Sequence, residues 1–249
     1  MRRLLGIAVL VGAVGFTLMF YRAYADRYIA PVVWPEPPII TPGENSGAPS
    51  DAVVLFDGKN FDAWTNADKL VADEDGGFTS RSVMRTKQEF GDVQLHVEFA
   101  TPNPPKGRDQ GRGNNGVGLI GARYEIQVLD SYENKTYFEG QAGSVYNQRP
   151  PMVNASRKPG EWQSFDIVFT APRFDDEGKL VKPAFATVFH NGVLVQNHTE
   201  FKGSTYYDKP PTYEKHDKGP LVLMYHGDPV RFRNIWVREF KELESKPKE

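Results

Sequence analysis

Between Asp51 and Phe240 the apolar residues recur with a period of two, and no long stretch keeps the period of a helix. Val93, Leu95, Val97 and Phe99 alternate with Gln94, His96 and Glu98, which predicts a strand buried on one face. Phe165, Ile167 and Phe169 alternate in the same way after Trp162. Ala184 to His190 runs through Asn191-Gly192 into Val193 to Val195, and Asn-Gly supplies the positive φ angles that a two-residue hairpin turn needs. Further strands are expected at 53–56, 82–86, 116–120, 124–129, 221–225 and 231–238. Many short strands joined by Gly, Pro and Asn turns predict an all-β fold, a two-sheet antiparallel sandwich, with a closed barrel as the alternative.

The two ends break this pattern. Arg2 and Arg3 precede an uncharged apolar run from Leu4 to Phe20, followed by Ala23-Tyr24-Ala25, the layout of a signal peptide with a small-x-small cleavage site. Residues 4–20 also reach the short limit of a membrane span, so an uncleaved signal anchor is the alternative reading of 1–25. Either way the expected destination is periplasmic or extracellular. Prolines 31, 35, 37, 38, 42 and 49 make residues 26–50 an extended, semi-rigid linker. The globular domain is expected over 51–240, and 241–249 reads as a charged tail.

Composition narrows the chemistry. Cysteine is absent, which removes disulfides, thiolate metal sites and cysteine nucleophiles, so any metal would rest on His, Asp or Glu. Thirty basic against thirty-two acidic residues, with no basic block, make nucleic acid an unexpected partner. Gly111 to Gly116 spells G-x-G-x-x-G, but prolines precede it and a β-like Val-Gly-Leu-Ile follows, so the strand and helix of a dinucleotide site are missing. A loop at a sheet edge is expected instead, with Asn114 and Asn115 able to place amides in a site.

Tyr124 to Asp130 says more. On a strand Arg123, Glu125 and Gln127 share one face while Tyr124, Ile126 and Val128 share the other, projecting three polar groups together from an expected central strand. With a bulge after Gln127, Asp130 rejoins that face, the spacing by which sandwich glycosidases set two carboxylates about a glycosidic bond. A solvated strand face explains Glu125 equally well. His226-Gly227-Asp228-Pro229 marks a turn, from which Arg231 and Arg233 leave on one strand face, suited to oxyanions or carboxylates. Tyrosines at 132, 137, 146, 206, 207 and 213 fall in loops, where their rings can stack on sugars or simply cover the sheet. His96, His190, His198 and His216 are read as ordinary structural histidines.

Taken together, Leu55-Phe56-Asp57-Gly58-Lys59 with Trp64, Asn115-Gly116-Val117, Tyr124 to Asp130, Asn154-Ala155-Ser156 with Gly160-Glu161-Trp162, His190 to Val193, and His226-Gly227 into Val230 to Trp236 resemble the 3-keto-disaccharide hydrolase domain family, also called domain of unknown function 1080. Met224 stands where that family usually has Gln, and Asn114-Asn115-Gly116 where it usually has Asn-Ser-Gly. The resemblance covers about residues 51–240. It implies a concanavalin A-like jelly roll in an exported carbohydrate-active hydrolase that cleaves 3-keto glycosides by elimination and hydration, downstream of a sugar 3-dehydrogenase. Glu125 or His226 is then the base, with Asp130 to orient it. Asn115, Arg123, Gln127, Tyr132, Tyr146, Arg231 and Arg233 are candidates for substrate contact. No cofactor is required, although Glu125, Asp130 and His226 would be the ligands if a divalent metal were used. An ordinary retaining glycosidase and a non-catalytic carbohydrate-binding module are the competing classes.

Overall fold

The computed structural model describes residues 32–67 and 70–247. The readings made for residues 1–25, including the membrane segment and export, lie outside the described residues. The chain divides into two units, residues 40–241 and the two ends. Of the ends, β1 (Val32–Val33) pairs antiparallel with β16 (Lys246–Pro247). The larger unit carries β2 (Val53–Phe56), β3 (Trp64–Thr65), β4 (Phe78–Thr79), β5 (Met84–Phe90), β6 (Val93–Ala100), β7 (Asn115–Leu119) and β8 (Tyr124–Val128). It continues with β9 (Gln163–Thr170), β10 (Arg173–Phe174), β11 (Leu180–Lys182), β12 (Phe185–His190), β13 (Val193–Glu200), β14 (Gly219–Leu223) and β15 (Arg231–Glu239). Apart from the short β10–β11 ribbon these strands form two antiparallel sheets, so the all-β sandwich expected from the alternation is the fold.

The back sheet runs β13-β12-β9-β6-β15-β2, with β4 added beside β15; the front sheet runs β3-β5-β14-β7-β8. Alternation explains which face each strand buries. Val93, Leu95, Val97 and Phe99 of β6 meet Phe165, Ile167 and Phe169 of β9 on the inner face of the back sheet. From the front sheet, Tyr124, Ile126 and Val128 point into the same core and are fully buried. The core is aromatic, with Phe99 and Phe165 rings 4.8 Å apart and Tyr124 5.2 Å from Phe201. Such rings each bury a large apolar area and supply most of the drive that holds two sheets face to face. The β12–β13 hairpin turns at Asn191 (φ 53°) and Gly192 (φ 78°), the backbone that Asn-Gly predicts.

One strand is placed differently from the sequence reading. The Tyr124–Val128 strand is the last of the front sheet rather than a central one. Its outer edge is closed by the 142–149 segment, where Gln127 N–H donates to the Ser144 carbonyl and the Tyr146 N–H to the Glu125 carbonyl. The Arg231–Glu239 strand lies in the other sheet from Glu125. In the stretch read as linker, residues 40–50 belong to the sandwich unit, and the Ser46 carbonyl accepts hydrogen bonds from Trp236 Nε1 at 2.8 Å and Asn234 Nδ2 at 3.1 Å.

Candidate active site

The polar face of β8 is the outer face of the front sheet, and its neighbour β7 presents glycines there: Gly116 lies opposite Gln127, and Gly118 opposite Glu125. A Cβ on Gly116 would overlap Glu125 Oε1 and come within 2.9 Å of Met224 Sδ, so only glycine lets the carboxylate lie across β7. On the far side of β7, β14 ends at Leu223, and Met224 N–H still donates to the Gly116 carbonyl at 2.8 Å. The chain then turns, bringing His226 back over the sheet. That turn is pinned from outside by Asn114 N–H, which donates to Asp228 Oδ2 at 2.8 Å. Two short stretches a hundred residues apart thereby converge, and His226 Nε2 stands 3.9 Å from Glu125 Oε1.

The electrostatics follow from burial. Glu125 is 5% exposed, and loss of hydration pushes its pKa up to about 8, so at neutral pH it mostly holds its proton. Desolvation moves His226 the other way, below its ordinary value, with the Asp228 charge opposing, so the imidazole is neutral at pH 7. A neutral acid and a neutral base therefore stand side by side at pH 7. The Gln127 amide lies against this pair. Its nitrogen donates to Glu125 Oε1 at 3.1 Å and to the Asn115 carbonyl at 2.9 Å.

These groups form the floor of a cleft of about 530 Å³. Tyr137 and Tyr146 make one wall, their hydroxyls hydrogen-bonded at 2.8 Å, and burial raises the pKa of both phenols. The long loop before β14 supplies Thr205, Tyr206 and Tyr207 to the other wall. It is anchored where the Thr205 N–H donates to the Arg123 carbonyl at 2.7 Å. Gln110 and Asn114 close the end, Asn114 Nδ2 donating to the Gln110 carbonyl at 2.7 Å. Amides and phenols around a carboxyl and an imidazole can bind hydroxyl-rich rings, stack on their C–H faces, and both remove and supply a proton.

Of the residues named from sequence, the structure brings Asn114, Glu125, Gln127, Tyr137, Tyr146, Tyr206, Tyr207 and His226 together, and it places Asn115, Arg123, Asp130, Tyr132, Arg231 and Arg233 elsewhere. Asp130 is buried against Arg112, whose Nε lies 2.7 Å from Oδ2. Desolvation raises the Asp130 pKa while the Arg112 hydrogen bond and charge pull it down. Its carboxylate fastens the loop before β7 to the end of β8; it does not orient a base. The trio Glu125, Asp130 and His226 is therefore not assembled, and among the described residues no group of three His, Asp or Glu could hold a metal ion. Asn115 points inward, its Oδ1 accepting from the Gly116 N–H and its Nδ2 buried without a partner among the described residues. Arg123 pairs at 3.7 Å with Glu214, and Tyr132 serves through its carbonyl, which accepts from Arg112. Arg231 binds Asp73 and Asp75, while Arg233 binds Glu98 and lies 4.3 Å from the Trp162 ring centroid, both on the back sheet. Sequence reasoning did not single out Asp109, Gln110 and Thr205, which line the cleft, and noted Met224 only as a departure from the family pattern.

A β-sandwich whose outer face carries this carboxyl–imidazole cleft, walled by tyrosines and amides, is a glycoside-acting, carbohydrate-active domain. The sequence profile of the 3-keto-alpha-glucoside-1,2-lyase-like domain matches residues 51–238, and the chain belongs to that family. A protein from Parabacteroides distasonis ATCC 8503 described as a "putative glycosyl hydrolase" is 45% identical, over 84% of this chain and 94% of its own, with a TM-score of 0.77. Two further proteins of that bacterium with the same description share the fold at 23% and 17% identity. Their TM-scores are 0.54 and 0.55, over 76% and 77% of this chain and 99% and 94% of theirs. No curated protein sequence matches the chain.

Proposed function

We propose that this cleft cleaves 3-keto glucosides by elimination across C1 and C2. The observation that carries the proposal is the buried, proton-holding Glu125 beside the neutral His226 at 3.9 Å. A ketone at C3 acidifies the C2 proton, because the carbanion left behind is an enolate. His226 takes that proton; the C2–H electron pair forms the enolate, whose developing O3 charge is met by the phenol hydroxyls of Tyr137 and Tyr146. The enolate collapses to restore the C3 carbonyl, C1=C2 forms, the C1–O bond breaks, and Glu125 protonates the departing oxygen. The pair is then Glu125 carboxylate and His226 imidazolium, and return of one proton from His226 to Glu125 resets it. Water added across the resulting enone gives net hydrolysis.

A retaining glycosidase needs a second carboxylate about 5 to 5.5 Å from the first. Asp130, the residue that spacing offered, is committed to Arg112. A binding module gains nothing from a carboxyl buried under its ligand at a cost in hydration. We further propose that residues 1–25 export the chain and that a sugar 3-dehydrogenase supplies its substrate.

The test is a 3-keto glucoside carrying deuterium at C2. Elimination predicts appearance of the enone, loss of the label to solvent and a primary isotope effect; His226→Ala should lower turnover by about 100-fold or more, the scale for a positioned general base. Release of the leaving group with the C2 label retained in the sugar overturns the proposal.

A further inference from the structure

A second cavity, of about 620 Å³, adjoins the cleft, and Tyr137 and Tyr207 line both. Beyond those two rings it is lined by Glu139, Asn147 and Gln148. Asn147 and Gln148 have their amide nitrogens committed to the loop backbone, at the Tyr206 and Gly203 carbonyls. Glu139 is half-buried, and its carboxylate has neither a hydrogen bond nor an ion pair among the described residues. Tyr207 is 82% exposed, a bare aromatic face at the junction.

The charges of the two cavities are one-sided. Asp109 lines the first, beside the protonated Glu125, and Glu139 the second, while neither is lined by lysine or arginine among the described residues. Lys209 rests over the Tyr206 ring, 4.0 Å from its centroid, and lines neither. Anionic sugars are held by arginine or lysine, whereas a free carboxylate accepts hydrogen bonds from vicinal hydroxyls or an ammonium and repels like charge.

We propose that the second cavity is the leaving-group subsite, that Glu139 is its specificity residue, and that it selects a neutral or amino sugar and rejects uronic acids and sugar phosphates. This rests on the reading of the first cavity as the place where the 3-keto ring reacts. Tyr207 stacks on the leaving ring and Glu139 takes two of its hydroxyls. The reaction that supplies the substrate must then oxidise an unphosphorylated glycoside.

The full chain is to be assayed on 3-keto disaccharides whose leaving unit is glucose, glucosamine or glucuronic acid. The same three unoxidised disaccharides are titrated in parallel, followed by tyrosine and tryptophan fluorescence. The glucuronyl compound should be worse than the glucosyl one by about tenfold or more in kcat/KM and in Kd, the scale of one interaction with a charged group. Glu139→Gln should weaken the glucosyl compound about tenfold through KM and narrow the gap to the glucuronyl one, with Glu139→Asp restoring part of the preference. An equal response to glucosyl and glucuronyl compounds, or a preference unchanged in Glu139→Gln, overturns the inference. If no 3-keto compound turns over, the proposed reaction fails while the titrations still decide the subsite, absence of binding counting against it.

Discussion

Replacing Glu125 by glutamine should make the protein more stable and disable it in the same step. In the unfolded chain this carboxyl titrates near 4.5; in the fold, desolvation moves it to about 8. Between those values the folded state keeps a proton that the unfolded state has lost, so the contribution to stability falls as pH rises from 4.5 to 8 and stays low above. At 1.36 kcal/mol per pH unit the penalty is about 3 kcal/mol at pH 7 and about 5 kcal/mol above pH 8. Glutamine keeps the shape and the hydrogen bonding to Gln127 but carries no charge to desolvate. Urea unfolding of both proteins at pH 5, 7 and 9 should therefore show a small difference at pH 5 and a widening advantage for the variant. Turnover of a 3-keto disaccharide should fall about 100-fold or more, and that of a 3-keto nitrophenyl glucoside much less, because that leaving group needs no acid. Equal stability at pH 9, or equal losses on the two substrates, would refute the argument for a buried, proton-donating carboxyl.

Three other outcomes follow from the geometry. Gly116→Ala should cost about 1–3 kcal/mol, the usual price of overpacking, and lower turnover because the new methyl displaces Glu125 and Met224; full activity at unchanged melting temperature would contradict the glycine floor. Asp130→Ala should destabilise by about 3–5 kcal/mol through the stranded Arg112, while the folded fraction, measured at low temperature, keeps its kcat; a loss of kcat at full folding would return Asp130 to the chemistry. On the back sheet, burial works against charge on His96, but the Asp166 and Glu98 carboxylates outweigh it and lift its pKa to about 9. Its stabilisation is complete below 6.5 and lost as pH rises through 9, so in a Glu125→Gln background the unfolding midpoint should decline between pH 6.5 and 9, and His96→Gln should abolish that decline.

The strands were legible because burial on one face writes itself into alternate positions, as in Val93 to Phe99 and Tyr124 to Val128. The direction of Glu125 and Gln127 followed from the same rule. Asp130 did not, because it stands past the end of β8, where alternation no longer sets direction, and Arg112, eighteen residues earlier, takes its carboxylate. Arg231 and Arg233 share a face as expected, but periodicity does not say which sheet a strand joins. His226 reaches Glu125 only because β14 runs beside β7, a pairing between segments about a hundred residues apart that spacing cannot reveal. The tyrosines were visible as loop aromatics; which of them meet was decided by backbone anchors such as Thr205 to the Arg123 carbonyl.

The bare stretch at Gly116 and Gly118 separates what this scaffold can vary from what it cannot. A side chain at Gly116 would strike Glu125 and Met224, and one at Gly118 would strike Ala122 and Val222, so the depth of the cleft is locked into the sheet. In the 137–148 and 203–213 loops the same restriction falls on Gly140 and Gly203, while Tyr137, Phe138 and Tyr207 stand exposed. Changes there would retune which leaving groups are accepted while the proton-handling pair stays as it is. The domain is thus built for diversification at its rim, and grafting those two loops between relatives is the natural way to exchange their substrate ranges.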